Sequence, residues 1–212
     1  MKKYIAILFA CVSFCACEDF LTQENPNKIE SEYYFKDESS LEIYANGLTR
    51  SFATGIKNFV NGDKNADTHA WDGAAAYFKD NYSASDASNW GTSNWSQLRS
   101  INYYLDNMRN AVASDAILDH YEGVGRFFRA LFYFEKVRKY GDIPYYDFVI
   151  PSNDWASLKR PRDSRGFVMK KVMEDLDRAI TDLPDNWPSD ALYRLSKNAA
   201  RAMKARAALY EG

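Results

Sequence analysis

Apolar residues recur at intervals of three and four along most of the chain, and this spacing constrains the fold more than any other feature. It places apolar side chains on one face of an amphipathic helix. Five segments show it, whereas residues 143–150 are β-prone and favour a small hairpin or an extended crossing. The pattern therefore predicts an all-α protein. The clearest stripe consists of Leu41, Tyr44, Leu48, Phe52, Ile56 and Phe59.

Capping residues indicate where the helices begin and end. The sequence Ser39-Ser40-Leu41-Glu42 has the capping-box pattern, in which a Ser hydroxyl and a Glu three residues later bond each other's free amides. The third helix is expected to stop at Gly141, and Gly123 and Gly125 are points where it could falter. The other expected boundaries are Ser93 or Asn94 to Val112, Asp115, Asp163 or Ser164, Pro184, and Ser196.

Short links between the helices favour antiparallel neighbours, as in helix-turn-helix solenoids. Residues 128–134 and 204–210 share a rhythm of small, large and aromatic residues like that of tetratricopeptide helices. We therefore expect tetratricopeptide-like helix pairs. The last helix has a small-residue face, which in a solenoid needs a further neighbour or a polar cap, so the sequence looks unfinished at its C-terminus.

Residues 1–16 have the composition of a secretory signal: a basic start followed by an apolar run. The run is far shorter than the ~20 apolar residues that cross a bilayer. Cleavage after Ala16 would leave Cys17 at the mature N-terminus, as in a bacterial lipoprotein signal, while Cys11 marks a competing site. We expect a signal peptide at 1–16, a lipid-anchored tether and lead-in at 17–38, and an α-helical domain at 39–212.

Residues 61–92 break the helical period and combine aromatic rings with amide, carboxyl and hydroxyl side chains. A loop of about thirty residues without its own structure is uncommon and usually functional or mobile. Sugars present C–H patches that pack on aromatic rings and hydroxyls that bond amides and carboxylates, so the loop has chemistry suited to a sugar. Its expected ring platforms and hydrogen-bonding partners are Trp71, Asp72, Tyr77, Asn81, Tyr82, Asn89 and Trp90.

The alternative for each ring is an inward position that stiffens the loop, because Trp and Tyr are commonly mostly buried. Trp95 belongs to the apolar stripe of its helix, so a core position is expected for it. The basic cluster of Lys159, Arg160, Arg162 and Arg165 could contact an acidic ligand or partner, although a loop leading into a capped helix explains it equally.

Charge and ligand patterns exclude several classes of function. The 27 Lys and Arg residues nearly balance the 29 Asp and Glu residues, which argues against nucleic acid as a partner. Residues 63–67 have the spacing of a calcium loop at its first ligands, but Thr68 and Ala74 replace the required Gly and Glu. His69 and His120 are too isolated to predict zinc. We expect neither a metal nor another cofactor.

No residues for catalysis are visible in the sequence. Glycoside hydrolysis needs two carboxylates across a cleft, whereas Glu174, Asp175 and Asp177 belong to one helix, where they are expected in a solvated face or beside Arg178. The chain also lacks a nucleophile elbow, a phosphate-binding Gly loop and a Cys-His pair. The protein is therefore expected not to be an enzyme.

The sequence Tyr140-Gly141-Asp142-Ile143-Pro144 and a series of further short motifs between residues 17 and 212 resemble, in their order and spacing, the SusD/RagB family of surface glycan-binding lipoproteins. The sequence Tyr140-Gly141-Asp142-Ile143-Pro144 weighs most in this resemblance. The other segments that carry it are 17–21 with Pro26, 34–35, Trp95 with 101–104, 122–123 with 128–130, 133–134, 175–176 with Ala179 and 183–184, and 204–206 with 209–212.

The resemblance implies an all-α body of tetratricopeptide helix pairs, lipid-anchored at the cell surface to the outer membrane over a SusC-like TonB-dependent transporter. Members capture oligosaccharides, or in some cases peptides, and pass them to that partner. They are usually more than twice as long, so we expect this chain to hold the N-terminal part of the fold. It would then be a truncated copy or fragment, or a second polypeptide would complete it.

The leading functional hypothesis is a protein that binds a glycan without chemistry and delivers it to the transporter. The alternatives are a peptide-binding family member, a helical-repeat scaffold for another protein whose aromatic residues are all core, and an inactive fragment.

Overall fold

The computed structural model describes residues 34–52, 90–187 and 194–212, and it confirms the expected all-α architecture. Within these ranges there is no β-strand, and β-type hydrogen bonding occurs only in two isolated β-bridges, Asp37–Val112 and Ile143–Asp163. None of the helices in these ranges has the length and apolar character needed to cross a membrane. The α-helices are α1 (Glu38–Phe52), α2 (Ser96–Asn107), α3 (Asp115–Tyr140), α4 (Trp155–Leu158), α5 (Arg165–Asp182) and α6 (Lys197–Glu211).

Helix α1 begins with a capping box two residues earlier than the sequence pattern predicts. The Asp37 carboxylate accepts a hydrogen bond from the Ser40 N–H at 2.9 Å, and the Ser40 hydroxyl accepts one from the Asp37 N–H at 2.9 Å. The reason is tertiary, because the backbone of residue 36 is held by the Val112 N–H at 2.9 Å. The part of the predicted stripe beyond Phe52 lies outside the described residues.

Helix α2 is shorter than predicted and is flanked by two short 3-10 helices. The first, Thr92–Trp95, precedes it, and the second, Met108–Asn110, ends the helical segment. The predicted cap at Ser93 or Asn94 is wrong, because both residues lie inside the first 3-10 helix and Trp95 occupies the N-cap position of α2. The end comes before Val112. Val112 is 85% exposed and takes part in the bridge to Asp37, so its backbone bonds the lead-in to α1 and not a further helical turn.

Helix α3 is the centre of the fold and continues for 26 residues without a break. The expected interruption at Gly123 and Gly125 is wrong, because both glycines lie where neighbouring elements come closest. A Cβ at Gly123 would lie 2.9 Å from the Asp182 Cβ, and one at Gly125 would lie 2.7 Å from Leu105. Gly141 ends the helix as predicted, with a positive φ of 70° that favours glycine.

The core forms where α3 packs against α1, α2 and α5, while α6 packs mainly against α5. Helices close in sequence thus lie side by side, as expected for tetratricopeptide-like pairs. Aromatic rings supply much of the buried volume: Phe35, Tyr104, Tyr133 and Phe134 are each at most 1% exposed. Burial of such large apolar surfaces provides the main stabilisation of the bundle.

A buried ion pair joins the two central helices. Arg129 of α3 donates two hydrogen bonds of 2.7 Å to Asp175 of α5, and both side chains are less than 5% exposed. Burial disfavours the charge on Arg129, but the hydrogen bonds and charge of Asp175 outweigh it and raise its pKa. The expectation that Asp175 lies in a solvated face or beside Arg178 is therefore wrong: its side chain points into the bundle.

Residues 141–163 connect α3 to α5 as an extended crossing, one of the two forms expected from the sequence, with the short helix α4 inside it. The Asp142 carboxylate accepts a hydrogen bond of 2.8 Å from the Arg165 N–H in the first turn of α5. Ile143 is fully buried and pairs with Asp163. The motif at residues 140–144 thus ends one helix, caps the next and fixes the path between them.

Candidate functional site

A cleft of about 640 Å³ opens between the N-terminal half of α2 and the extended crossing. This volume lies in the usual range of small-molecule sites, about 300 to 1,000 Å³. Trp90, Trp95, Arg99 and Asn102 contribute from the α2 side. The crossing contributes mostly apolar side chains and two arginines, which are Pro144, Tyr146, Phe148, Ile150, Pro151, Leu158, Arg160, Pro161 and Arg162.

Two tryptophans that line the cleft are both half-buried. The ring centroids of Trp90 and Trp95 are 5.4 Å apart, and their planes are nearly perpendicular at 88°. Trp90 also forms an edge-to-face contact with Tyr140, with 4.9 Å between ring centroids, and Trp95 forms one with Phe132, with 5.6 Å between centroids. Such edge-to-face contacts stabilise the ring positions by about 0.5 to 1.5 kcal/mol each beyond area burial.

Lys136 supports Trp95 from α3. Its ammonium group lies 5.3 Å from the Trp95 ring centroid, 5.4 Å from that of Phe132 and 5.7 Å from that of Tyr140. Burial first, and then the charge of Lys139, lower the pKa of Lys136. The contacts with three ring faces favour the cation in this position.

Side chains of the helices hold the irregular wall of the cleft. The amide of Asn102 donates to the carbonyl oxygens of Tyr146 and Phe148, each at 3.0 Å. Arg99 donates to the carbonyl of Ile150 at 2.8 Å. The extended crossing belongs to no helix or sheet, so its carbonyl groups need other hydrogen-bond donors, and these side chains provide them. The wall is therefore fixed by α2 and does not depend on its own secondary structure.

Tyr146 lies at the centre of this wall. Its hydroxyl donates to the carbonyl of Ser157 at 2.8 Å, which ties the crossing to α4. Burial is the main reason that the pKa of Tyr146 lies above its ordinary value of 10, so the phenol stays a neutral donor. The Arg160 guanidinium lies over its ring, 5.4 Å from the centroid.

The predicted basic cluster is divided by the fold. Arg160 and Arg162 are two residues apart in an extended stretch, so their side chains reach the same side and both line the cleft. Arg162 lies over Trp90, with its guanidinium carbon 5.0 Å from the ring centroid. Arg165 instead pairs with Glu211 of α6 at 2.9 Å and does not line the cleft.

Trp90 is the one residue of the seven predicted ligand contacts that falls in the described ranges, and it lines the cleft. Trp95, expected in the core, packs against the core and lines the cleft as well. The remaining six, together with His69 and the calcium-like spacing at 63–67, lie outside the described residues. Those six are Trp71, Asp72, Tyr77, Asn81, Tyr82 and Asn89.

Sequence reasoning missed Arg99, Asn102 and Tyr146 as components of the site. One signal for Asn102 was available: it follows Leu98 by four residues, so a polar side chain occupies the apolar face of α2. Buried polar groups are nearly always hydrogen-bonded, so this position implied a polar partner from elsewhere in the chain. The 1% exposure of Asn102 and its two bonds to the crossing match that reasoning.

The SusD-like family model described as "Starch-binding associating with outer membrane" matches residues 19–209. The chain belongs to the SusD-like family. This is a carbohydrate-binding family associated with the outer membrane. Two curated SusD-like proteins from Formosa agariphila are similar to the chain. SusD-like protein P25 is 25% identical over 98% of this chain and 42% of its own length, and SusD-like protein P2 is 28% identical over 100% and 44%.

Solved SusD-like structures have the same fold. A SusD-like protein from Bacteroides fragilis NCTC 9343 matches with a TM-score of 0.75 and 25% identity, over 89% of this chain and 38% of that one. A laminarin-binding SusD-like protein matches with a TM-score of 0.66 and 19% identity, over 84% and 41%. The present chain thus spans less than half the length of the curated SusD-like relatives that it matches.

Proposed function

We propose that this SusD-like chain is a non-catalytic, surface-exposed lipoprotein that captures oligosaccharides and passes them to a SusC-like TonB-dependent transporter in the outer membrane. The observation that carries the proposal is the cleft, which combines the rings of Trp90 and Trp95 with guanidinium donors. Aromatic rings pack against the C–H faces of sugars, and the donors match sugar hydroxyls. We also propose the loop residues Trp71, Asp72, Tyr77, Asn81, Tyr82 and Asn89 as ligand contacts.

Binding without hydrolysis is supported by the distribution of carboxylates. A glycosidase places two of them across its cleft, about 5 to 9.5 Å apart. Within the described part of the chain, the residues that line the cleft include neither Asp nor Glu. The carboxylates on α5 are paired elsewhere: Asp175 with Arg129, Glu174 with Lys171, and Asp177 with Lys204.

Calorimetric titration of the purified chain with a panel of oligosaccharides tests the proposal. Loss of one stacking contact of about 1.4 kcal/mol weakens binding about tenfold, so Trp90→Ala and Trp95→Ala should each raise Kd by about that factor. Trp155→Ala is the matched control, because Trp155 is 65% exposed and does not line the cleft. A folded sample that releases no heat with any sugar would contradict glycan binding and favour the scaffold function.

A peptide is the second candidate ligand. The apolar side chains of Phe148, Ile150 and Leu158 are also suited to aliphatic or aromatic side chains of an extended peptide. Phe148 and Leu158 are 40% and 50% exposed, so they are available for contact. A peptide library titrated beside the sugar panel separates the two ligands, since peptide binding that Trp90→Ala weakens, without binding of any sugar, would assign the cleft to peptides.

The lipid anchor is the part of the proposal that rests on the sequence. Cys17→Ser should abolish incorporation of radiolabelled fatty acid and release the protein from the outer-membrane fraction. Cys11→Ser, at the competing cleavage site, is the matched control and should leave both unchanged. Continued acylation of the Cys17→Ser variant would show that the anchor is elsewhere.

A further inference from the structure

The charge of the cleft is of one sign. Three arginines line it, Arg99, Arg160 and Arg162, and no acidic residue does so among the described positions. Most arginines of the described part pair with carboxylates, as Arg129 does with Asp175. The cleft therefore differs from the rest of the surface, where positive and negative charges are interspersed.

The three arginines differ in how far their charges are already compensated. Arg160 donates to both carboxylate oxygens of Asp163 at 3.0 Å and to the carbonyl of Tyr145. Its charge is therefore compensated by Asp163, and its hydrogen bonds stabilise the wall of the cleft. Arg99 donates one N–H to the carbonyl of Ile150 and forms no ion pair within the described ranges. Its remaining N–H groups carry a charge that no described carboxylate neutralises.

Arg162 is also without an ion pair among the residues that the structure describes. Its guanidinium lies over the Trp90 ring, which is a favourable position for a cation and leaves its N–H groups able to bond a ligand. Asp106 accepts from the Val149 N–H and Asp154 from the Ser157 N–H, and within the described residues neither forms an ion pair with Arg99 or Arg162. Two guanidinium charges, from Arg99 and Arg162, are thus available at the cleft.

Building on the proposed function, we propose that the cleft selects oligosaccharides that carry anionic groups, with a carboxylate or sulfate paired to Arg99 and Arg162. Guanidinium groups bind both anions through two parallel hydrogen bonds. Phe148, Ile150 and Leu158 add apolar surface to the same lining, and an anionic group on the ligand adds an attraction to the guanidinium charges that a neutral sugar lacks. A neutral sugar would leave both charges uncompensated, which gives the preference for the acidic ligand.

Titration of the purified chain with a panel of neutral oligosaccharides, each beside its C6-oxidised uronate and its sulfated derivative, tests this selectivity. A charge-assisted hydrogen bond is stronger than a neutral one, so at least one acidic member should bind about tenfold or more tightly than its neutral parent. The uronate and sulfate arms tell which anion is preferred. Raising the ionic strength should weaken only the acidic complexes.

Arg99→Gln and Arg162→Gln should each weaken binding of the acidic ligand about tenfold more than binding of its neutral parent. Arg206→Gln is the matched control, because Arg206 lies over the Phe134 ring, away from the cleft, and forms no ion pair in the described part. Equal binding of neutral and acidic members, insensitive to both variants, would overturn the selectivity and leave glycan binding intact. Absence of binding to every member by a folded sample would overturn both proposals.

Discussion

The hydroxyl of Tyr133 bonds both backbone groups of Tyr146: it accepts from the N–H at 2.6 Å and donates to the carbonyl oxygen at 2.9 Å. Tyr133 is fully buried in α3, and burial raises its pKa well above the ordinary value of 10, so the phenol keeps its proton. Tyr146 forms the wall of the cleft. Tyr133 therefore ties the wall to the centre of the bundle, in addition to the bonds from Asn102 and Arg99 of α2.

Tyr133→Phe should lower the free energy of unfolding by about 1 to 3 kcal/mol, as expected for an unsatisfied buried donor. The Tyr146 carbonyl keeps its bond from Asn102, so the Tyr146 N–H is the group left without a partner. Denaturant unfolding measures the loss. Tyr103→Phe is the control, since the Tyr103 hydroxyl forms no hydrogen bond within the described ranges, and a change of less than about 0.5 kcal/mol is expected. Equal effects would contradict the assigned role.

Asp175→Asn should destabilise the protein by about 3 to 5 kcal/mol, because it leaves the buried charge of Arg129 without its partner. The control is Asp177→Asn on the same helix, where the carboxylate is 60% exposed and pairs with Lys204. An exposed pair contributes less than about 1 kcal/mol. Thermal and denaturant unfolding of both variants measure the contrast, and similar losses would show that the buried pair does not hold α3 to α5.

Gly123→Ala should destabilise the protein by about 1 to 3 kcal/mol, because the new methyl group would lie 2.9 Å from the Asp182 Cβ. Gly47→Ala is the opposite case: its Cβ would meet no atom within 4 Å, and the residue lies in an exposed part of α1. That change should stabilise the helix by about 0.5 to 1 kcal/mol. Opposite signs in unfolding measurements would confirm close packing at Gly123; a stabilised Gly123→Ala would refute it.

Glu122 should make stability depend on pH in the acid range. Burial alone would raise its pKa, but hydrogen bonds from Arg109 and Arg126 outweigh burial and hold the pKa below the ordinary value of 4.5. A lowered carboxyl pKa adds stability above pH 4.5, and this stability is lost as pH falls through the folded-state pKa. The stability difference between the wild type and Glu122→Gln should therefore close at low pH. Arg109→Gln should move the NMR titration of Glu122 upward, and a constant difference would contradict the assignment.

The helices could be predicted because their determinants are local. Ser114, Ser164 and Ser196 each cap a helix by accepting a hydrogen bond from the N–H three residues later. These caps lie at or next to the expected starts at Asp115, at Asp163 or Ser164, and at Ser196. The capping box of α1 could not be placed correctly, because the bridge that holds residues 36 and 37 comes from Val112, seventy or more positions along the chain.

The candidate site was predictable only in part. An aromatic loop indicated Trp90, and the structure places Trp90 in the cleft. The helical spacing assigned Trp95 to the core. Spacing tells which side of the helix a residue lies on, but it does not tell whether the neighbouring elements cover that side completely. Arg160 and Arg162 were recognised as basic, yet their position over Tyr146 and Trp90 depends on the path of the crossing.

The sequence by itself determined the helical class, most helix boundaries and the family resemblance, because apolar period, caps and short motifs act over a few residues. Tertiary structure alone decided that Gly123 is a packing contact, that Asp175 is buried against Arg129, and that α2 and the crossing enclose a cleft. These features join residues about 45 to 60 positions apart, and such pairs are fixed by the mutual burial and hydrogen bonding of whole elements, which no local pattern records.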